Sequence, residues 1–288
     1  MAEQGKGAVL ITGASSGIGR ASALLLDRSG YRVFAGVRNA QGWECLQVEA
    51  SGRLSPVTLD VTDPEQITAA VEAVTEALAP DRGLAGLVNN AGMTMPGPVE
   101  FLPLDRLRWQ LEVNLIGQVA VTQAFLPLIR KGHGRIVNIG SIFGRFTLPF
   151  SGAYAASKFG LEGLTDSLRR ELLPSGIHVS IVEPGAIETP IWDKSFAKAD
   201  KVHVDLPAHA REIYAAAASA VRKLMEKSRR HAVPPEAVAQ AILHALEARR
   251  PKPRYLVGAD ARVLALGARF LPDRLNDWLV AKVLRIYG

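Results

Sequence analysis

The chain has 288 residues, 48% hydrophobic and 22% charged, which is the composition of a folded globular protein and excludes a disordered chain. Its net charge of +6 has no nucleic-acid-binding motif behind it, so we expect no nucleic-acid partner. The single cysteine, Cys45, excludes an intrachain disulfide.

Two further features concern targeting. The segment from Met1 to Gly7 is short and polar, and no apolar stretch of suitable length follows a basic start, so we expect no signal peptide. No run of 18 or more apolar residues occurs, and we therefore expect no membrane-spanning helix. We predict a cytoplasmic protein.

Short apolar runs alternate with helical stretches along the first 190 residues. The pair Asp63-Pro64, for example, is typical of an N-cap followed by the first helical position. This alternation predicts a single α/β domain over residues 1–288, with a doubly wound, mostly parallel Rossmann-type sheet and helices on both faces. The strand candidates are Ala8–Ile11, Arg32–Ala35, Pro56–Leu59, Leu84–Val88, Arg135–Ile139 and His178–Val182.

After the sixth strand the pattern changes. Residues 191–230 form an insertion rich in alanine and charge, too long for an ordinary connection between elements. It follows the carboxyl end of a strand, where ligands bind in such sheets, so we predict a mobile lid. Two helices are expected after Pro234-Pro235, separated by a short strand at Tyr255–Val257, and C-terminal helices cover about 259–286.

A glycine-rich turn, Thr12–Gly19, follows the first strand and opens a helix. Glycines allow a tight turn and close approach to a pyrophosphate, and the helix N-terminus supplies free N–H groups. This pattern predicts nucleotide binding, with an ordinary strand-to-helix turn as the alternative. The residues expected to contact the nucleotide here are Gly13, Ser15, Ser16, Gly17, Ile18 and Gly19.

The spacing of this turn, G-x-x-x-G-x-G, resembles that of the short-chain dehydrogenase/reductase family. Other marks of that family stand in the same order over residues 7 to 190: Asn89-Asn90-Ala91-Gly92, Asn114, Ser141, Tyr154-Ala155-Ala156-Ser157-Lys158, Pro184-Gly185 and Thr189. The resemblance implies a nicotinamide-dependent oxidoreductase acting on a CH–OH group. Within the family the layout is similar to steroid- and retinoid-type dehydrogenases. We expect a homodimer or homotetramer.

The end of the second strand indicates which cofactor is used. NAD-selective sites usually place a carboxylate there for the ribose 2′-hydroxyl, but residues 35–39 hold none. Arg38 suits a 2′-phosphate, which predicts NADP(H). NAD(H) stays the alternative, because Ser16 stands where NADP-preferring relatives often carry a second basic residue. The resemblance also implies adenine contact by Asp60, for which an N-cap role is the other interpretation.

The resemblance further implies a cofactor cleft formed by residues after the third, fourth and sixth strands, and by two residues of the Tyr-x-x-x-Lys motif. These residues are Val61, Asn90, Ala91, Gly92, Tyr154, Lys158, Pro184, Gly185, Ile187 and Thr189.

Tyr154 and Lys158 are four residues apart in a helical region, so they share one face. A nearby ammonium group favours the phenolate, so we expect Lys158 to lower the tyrosine pKa from its usual value of about 10. Tyr154 then exchanges a proton with an alcohol or carbonyl. Ser141 holds the substrate oxygen, and the resemblance implies that Asn114 holds a water in a relay to Lys158. We expect no metal.

The segments Met93–Pro98, Ile142–Phe150 and Ile191–Tyr214 are expected over the substrate. Their apolar side chains predict a lipophilic alcohol or ketone: Met93, Met95, Phe143, Phe146, Leu148, Phe150, Trp192, Phe196 and Tyr214. Arg145 is either a contact for a substrate anion or a solvated side chain. Two other functions stay open: a 3-oxoacyl thioester reductase, and a cofactor-sensing binding protein without turnover.

The stretch Arg274–Ile286 is amphipathic, with Leu275, Trp278, Leu279 and Val283 at helical spacing. We expect this face to dock on the body of the protein, on a partner subunit or on a membrane surface. Two basic clusters, at 222–230 and 249–254, indicate either solvated helix faces or attraction to anionic lipid or substrate.

Overall fold

A parallel sheet of seven strands lies at the centre of the computed structural model, which describes residues 6–284. The strand order is β3-β2-β1-β4-β5-β6-β7, which confirms the predicted doubly wound parallel sheet. The strands are β1 (Ala8–Ile11), β2 (Arg32–Val37), β3 (Leu54–Thr58), β4 (Leu84–Asn89), β5 (Arg135–Ile139), β6 (Val179–Pro184) and β7 (Arg254–Val257).

Helices cover both faces of this sheet. Those up to the fifth strand are α1 (Gly17–Arg28), α2 (Ala40–Gln47), α3 (Pro64–Ala77), α4 (Leu104–Leu111) and α5 (Gly117–Lys131). The later ones are α6 (Gly152–Leu172), α7 (Ile191–Asp205), α8 (Ala208–Arg230), α9 (Pro235–Glu247), α10 (Ala259–Phe270) and α11 (Asp273–Leu284).

Strand boundaries differ from the sequence predictions by a few residues. Strand β2 runs on to Val37 because β3 continues to pair with it, Gly36 with Val57 and Val37 with Thr58. Pro56 lies inside β3, and it is tolerated there because β3 forms one edge of the sheet.

The hydrophobic core has one layer on each face of the sheet. In one layer, α1 and α9 pack on the sheet through side chains such as Leu24 and Ile242. The other layer contains Val74 of α3 and Phe125 of α5, both fully buried. This double burial explains why the strands read as continuous apolar runs.

Helices α4 and α5 form one continuous helical run, joined by a π-helical segment at Glu112–Ile116. The run Leu104–Lys131 is 28 residues long, and by length and composition alone it could cross a membrane, contrary to our sequence expectation. Asn114, Gln118 and Thr122 are nevertheless buried inside the protein, and α5 packs on β4. That arrangement is typical of a core helix in a folded domain.

The C-terminal part departs from the sequence prediction. Within residues 6–284, three helices follow Pro234-Pro235 instead of two, because Leu271 and Pro272 separate α10 from α11. In α11 the buried side chains are Ala281 and Leu284, whereas Trp278 is 52% exposed. Of the three expected docking surfaces, the protein body therefore does not cover Trp278, which leaves a partner subunit or a membrane surface. Ile286 lies outside the described residues.

Candidate active site

A cavity of about 540 Å³ opens at the carboxyl ends of β1, β4, β5 and β6. The strand order reverses between β1 and β4, so the helices that leave these two strands pack on opposite faces and leave a crevice between them. The glycine-rich turn after β1 forms one wall, and the start of α7 lies over the opening.

The glycine-rich turn needs its glycines for two physical reasons. Gly13 and Gly17 adopt φ of +64° and +54°, a region that other residues rarely enter. At Gly19 there is no room for a side chain, because a Cβ would lie 2.2 Å from the Gly13 carbonyl oxygen. The turn is thus fixed in a tight, backbone-lined form.

Asn90 and Thr12 hold this turn against β4. The Asn90 Nδ2 donates to the carbonyl oxygens of Thr12 and Gly13 at 2.9 and 3.0 Å. The Thr12 hydroxyl accepts from the backbone N–H of Asn90 and Ala91 at 2.9 and 3.0 Å. We did not single out Thr12 from the sequence, since only the folded turn shows that its hydroxyl joins two strands.

Almost every predicted cofactor-contacting residue lines the cavity. Gly19 does not, because it packs behind the turn against Gly13. The lining residues from that predicted set are Gly13, Ser15, Ser16, Gly17, Ile18, Arg38, Asp60, Val61, Asn90, Ala91, Gly92, Tyr154, Lys158, Pro184, Gly185, Ile187 and Thr189.

Asp60 also lines the cavity, but it is not an N-cap. Its Oδ1 accepts from the backbone N–H and the hydroxyl of Thr62, at 3.0 and 2.8 Å. Asp63 caps α3 instead, accepting from Glu65 N and Gln66 N, as the Asp63-Pro64 pattern predicts. The N-cap interpretation of Asp60 is therefore wrong.

Ser141, Tyr154 and Lys158 meet at one end of the cavity. Ser141 follows β5, its hydroxyl accepts from the Phe143 backbone N–H at 3.2 Å, and it lies close enough to Tyr154 to influence the tyrosine pKa. The Nζ of Lys158 donates to the Ile139 carbonyl at 2.7 Å and lies 5.9 Å from the Tyr154 ring centroid. Tyr154 and Lys158 on α6 and Ser141 after β5 thus bring three polar side chains together.

Burial dominates the titration of these groups. It raises the pKa of Tyr154 above its usual value, although the hydrogen bond from Ser141 acts in the opposite direction. Burial also lowers the pKa of Lys158 to about 8, with Glu162 opposing the shift. The expected lowering of the Tyr154 pKa by Lys158 is therefore wrong for the protein alone. At neutral pH, Tyr154 is protonated and suited to donate a proton.

Asn114 lies in the π-helical segment and does not line the cavity. Its side chain accepts from Met93 N at 2.9 Å and donates to Met93 O at 2.9 Å and Ser157 Oγ at 3.1 Å. Asn114 thus fixes the cavity wall at Met93. The water relay implied by the resemblance stays a prediction.

The apolar wall is only partly the one the sequence predicts. Phe196 and Tyr214 do not line the cavity. The Phe196 ring packs against Trp192, and the Tyr214 hydroxyl donates to Glu100 at 2.7 Å. Phe146 and Leu148 also lie outside the cavity lining. Of the nine predicted side chains, those that line it are Met93, Met95, Phe143, Phe150 and Trp192. Apolar residues outside the predicted substrate segments also line it, among them Trp109, Val113 and Met225.

Phe150 has an unusual backbone for an aromatic residue, with φ of +66°. Its carbonyl accepts from the Gly97 N–H at 2.9 Å, and its ring meets Tyr214 edge-on at 5.7 Å between centroids. The neighbouring loop and helix therefore hold this strained residue in the wall of the cavity.

An ion-pair cluster lies beneath the cavity. Glu183 of β6 is fully buried and contacts Arg145 at 2.6 Å and Arg254 at 3.5 Å. Arg254 also contacts Glu162 and Asp166 of α6, both at 3.0 Å. Arg145 is therefore paired with Glu183 and not free for a substrate anion, although its side chain stays 28% exposed. The cluster ties α6 to β6 and β7, and so fixes the helix that carries Tyr154.

This cluster gives a pH-dependent stability. Burial, and then the charge of Glu183, raise the pKa of Glu162 to about 7 from its usual 4.5. Between these values the folded state binds more protons than the unfolded state, so the free energy of unfolding should fall as pH rises from 4.5 to 7. Urea denaturation across this range should show a shallower fall for Glu162→Gln than for the wild type. The exposed Glu171→Gln on the same helix is the control, and equal slopes in all three proteins would contradict the prediction.

Comparison with known proteins agrees with this geometry. The family model described as short chain dehydrogenase matches residues 7–200. The chain is similar to retinol dehydrogenase 5 of Mus musculus, with 40% identity over 285 residues, 96% of this chain and 88% of the relative. It is also similar to 17-beta-hydroxysteroid dehydrogenase type 6 of Bos taurus, with 41% identity over 279 residues, 95% of this chain and 87% of the relative.

One solved structure is similar along almost its whole length. It is a short chain dehydrogenase from Burkholderia cenocepacia J2315 in complex with NADP, with a TM-score of 0.71 and 28% identity. The match covers 96% of this chain and 97% of that one.

Proposed function

This chain belongs to the short-chain dehydrogenase family, and from that premise we propose that it is an NADP(H)-dependent oxidoreductase for a lipophilic alcohol and its carbonyl counterpart. One observation carries the proposal. Ser141, Tyr154 and Lys158 meet in the same cavity as the glycine-rich turn, and the cavity wall beside them is apolar.

The cavity fits a dinucleotide. The turn at Gly13–Gly19 exposes backbone where a Cβ would clash, which suits close approach of a pyrophosphate. Arg38 at the end of β2 suits the 2′-phosphate, and Asp60 stands on the same side for the adenine. When bound, the nicotinamide supplies or accepts the hydride.

The protein's own residues manage the proton and the substrate oxygen. In the reductive direction, Tyr154 donates its phenolic proton to the carbonyl oxygen as charge develops there. Ser141 donates a hydrogen bond to the same oxygen, and the buried Lys158 ammonium stabilises the phenolate that Tyr154 becomes. Asn114 positions Met93 in the wall. In the oxidative direction, Tyr154 accepts the proton from the alcohol.

We propose a substrate of the steroid or retinoid class. The cavity that contains Tyr154 is lined by sulfur-containing and aromatic side chains that include Met95 and Trp192, and Phe143 contacts the Tyr154 ring. The names of the two relatives, a retinol dehydrogenase and a hydroxysteroid dehydrogenase, point to a retinol and to a hydroxysteroid. Both are apolar molecules with a hydroxyl group that a Tyr-Ser pair can hold.

The test is a turnover assay. NADPH oxidation should be followed spectroscopically with retinal, a 17-ketosteroid, a 3-oxoacyl thioester and a small sugar, and the reverse reaction with the matching alcohols. We expect turnover with the first two carbonyl compounds. Turnover with the thioester alone, or cofactor binding without turnover of any compound, would contradict the proposal.

Cofactor choice should depend on Arg38. Arg38→Ala removes a charge-assisted contact with the 2′-phosphate, which is worth about 1.5–3 kcal/mol, so NADPH affinity should fall about tenfold or more. NADH affinity should be nearly unchanged. Fluorescence titration of both cofactors measures this. Equal losses of NADPH and NADH affinity would show that Arg38 does not recognise the 2′-phosphate. The control for the loss of positive charge is Arg28→Ala, at the exposed end of α1.

We propose that residues 191–230 act as a lid. They form the consecutive helices α7 and α8. Three of their side chains line the cavity: Ile191, Trp192 and Met225. Trp192 Nε1 donates to the Ile187 carbonyl at 2.7 Å, which anchors the start of α7. Hydrogen exchange over peptides from 191 to 230 should slow when cofactor and substrate bind. Strong protection without ligand that ligand leaves unchanged would make this segment a fixed part of the fold.

The surface supports further proposals about partners. Trp109, Ile116 and Phe159 are about half exposed on α4, the π-helical segment and α6, and we propose a homodimer or homotetramer that covers them.

Phe270 and Trp278, on α10 and α11, are also exposed, and we propose that they contact a membrane surface. Sedimentation analysis and liposome co-sedimentation test these two proposals. Cytoplasmic location stays a prediction.

A further inference from the structure

Helix α7 presents two chemically different faces. One face lines the cavity through Ile191, Lys194, Ser195 and Lys198, which are spaced as neighbours on a helix surface. The other face carries two carboxylates, Asp193 and Asp200, and turns toward α8. The two lysines are therefore the charged groups that α7 directs at the cavity.

The carboxylates of α7 are neutralised from α8. Arg229 makes two contacts with Asp193, at 2.7 and 3.2 Å, and Arg222 pairs with Asp200. The Arg222 guanidinium also lies over the Phe196 ring, 5.4 Å from its centroid. These contacts take up the acidic face of α7, and none of the acidic groups is left to pair with the lysines.

On the cavity side the positive charges have no acidic partner. Within residues 6–284, neither Lys194, Lys198 nor Arg38 forms an ion pair, and the Nζ of Lys198 only donates to the Thr94 carbonyl at 3.1 Å. Among the described residues that line the cavity, Asp60 is the one carboxylate. The cavity wall therefore has a strong excess of positive charge.

These cations are close enough to repel one another. Burial lowers the pKa of Lys198, and the charges of Lys194 and Arg38 lower it further. Mutual repulsion of this kind is relieved when an anion binds between the charges. An anionic group in this part of the cavity would thus bind three cations at once.

The position of α7 identifies which anion that is. A Cβ on Gly17 would lie 3.0 Å from Thr189 and 3.8 Å from Pro190, so α7 starts directly over the glycine-rich turn. The lysines follow one and two turns later along the same cavity. The phosphates of a dinucleotide seated on that turn are the anions within this region.

Resting on the proposed function, we propose that Lys194 and Lys198 bind the phosphate groups of NADP(H) from the lid side, so that cofactor binding draws α7 down over the cavity. Arg38 would hold the cofactor from the sheet side and the two lysines from the opposite side. The cofactor then stabilises the closed lid before the substrate enters.

The test compares Lys194→Ala/Lys198→Ala with the wild type and with Lys201→Ala, an exposed lysine of the same helix that does not line the cavity. Dissociation constants for NADPH and NADH are measured by fluorescence titration at 20 and 200 mM salt. We expect the double variant to bind NADPH about tenfold more weakly than wild type at low salt, with less salt dependence. The Lys201 variant should bind as the wild type does.

The two cofactors separate the possible phosphates. A loss for NADPH alone supports contact with the 2′-phosphate, and equal losses for NADPH and NADH support contact with the pyrophosphate. Unchanged affinity for both cofactors, or an equal loss in Lys201→Ala, would overturn the inference. If the wild type bound neither cofactor, the proposed function itself would fail, which is a different result.

Hydrogen exchange gives a second measurement that does not depend on turnover. In the wild type, NADPH alone should slow exchange of the amides in α7. In the double variant at saturating NADPH, this slowing should be lost, while protection of the glycine-rich turn persists. Equal slowing of α7 in both proteins would contradict the coupling of lid and cofactor.

Discussion

Tyr154→Phe is expected to lower kcat by about 10² or more, because it removes the one positioned proton donor at the substrate oxygen. The change deletes only the hydroxyl, and the ring keeps its edge-on contact with Phe143 at 5.9 Å between centroids. Cofactor affinity and thermal stability should therefore stay close to those of the wild type. The measurement is steady-state turnover on a confirmed substrate, together with NADPH titration and thermal melting.

Tyr31→Phe is the matched control, since Tyr31 is a buried tyrosine that does not line the cavity. It should keep full activity. Near-full activity of Tyr154→Phe would mean that another group, or water, supplies the proton. A loss of NADPH binding as large as the loss of kcat would indicate a disturbed site and not a missing donor.

The parts of the site that could be predicted from the sequence are those encoded locally. The turn Thr12–Gly19 joins a strand to a helix within eight residues, and Tyr154 and Lys158 share a face of one helix. Short-range geometry fixes both features, whatever the rest of the fold does. The parallel sheet was predictable for a similar reason, since each buried strand is a short apolar run.

The remaining features depend on contacts between distant segments. Arg145, Glu183 and Arg254 come from a loop and two strands, and only the folded sheet brings their charges together. The direction of the Tyr154 pKa shift likewise requires knowledge of burial, which raises the pKa and outweighs the opposing effect of Ser141. The spacing of Tyr154 and Lys158 in the sequence contains no information on desolvation.

The proposed lid at 191–230 shows the same limitation. Sequence composition identifies 191–230 as an insertion, but the side of α7 that faces the cavity depends on how α8 packs against it. Phe196 therefore packs on Trp192 within the segment, and Tyr214 packs on Phe101 and Phe150 outside it, whereas Lys194 and Lys198 line the cavity. Helical spacing defines which residues share a face, and tertiary packing decides where that face points.

Gly19→Ala is expected to disturb both the fold and the cofactor site. A Cβ at this position would lie 2.2 Å from the Gly13 carbonyl oxygen and 2.5 Å from Asn90 Nδ2. Neither atom can move freely, because Asn90 Nδ2 donates to the Gly13 carbonyl at 3.0 Å and so holds the turn on β4. Either the start of α1 or the whole turn must shift.

The expected loss of stability is about 1–3 kcal/mol, the usual result of forcing an extra carbon into a packed site. It should exceed the gain of about 1 kcal/mol that alanine brings to a helix over glycine. NADPH affinity should fall by about thirtyfold, because a displacement worth about 2 kcal/mol acts directly on the phosphate-binding backbone. Urea denaturation and NADPH titration measure the two effects.

Gly163→Ala on α6 separates the steric effect from helix propensity. A Cβ at Gly163 would meet no atom within 4 Å, so alanine there should raise the free energy of unfolding by about 0.5–1 kcal/mol and leave NADPH binding unchanged. The two substitutions are chemically identical and both lie in helices, so their opposite signs would isolate the contact with Gly13. If both variants were stabilised and bound NADPH like the wild type, the close packing of α1 on the glycine-rich turn would not be required for binding.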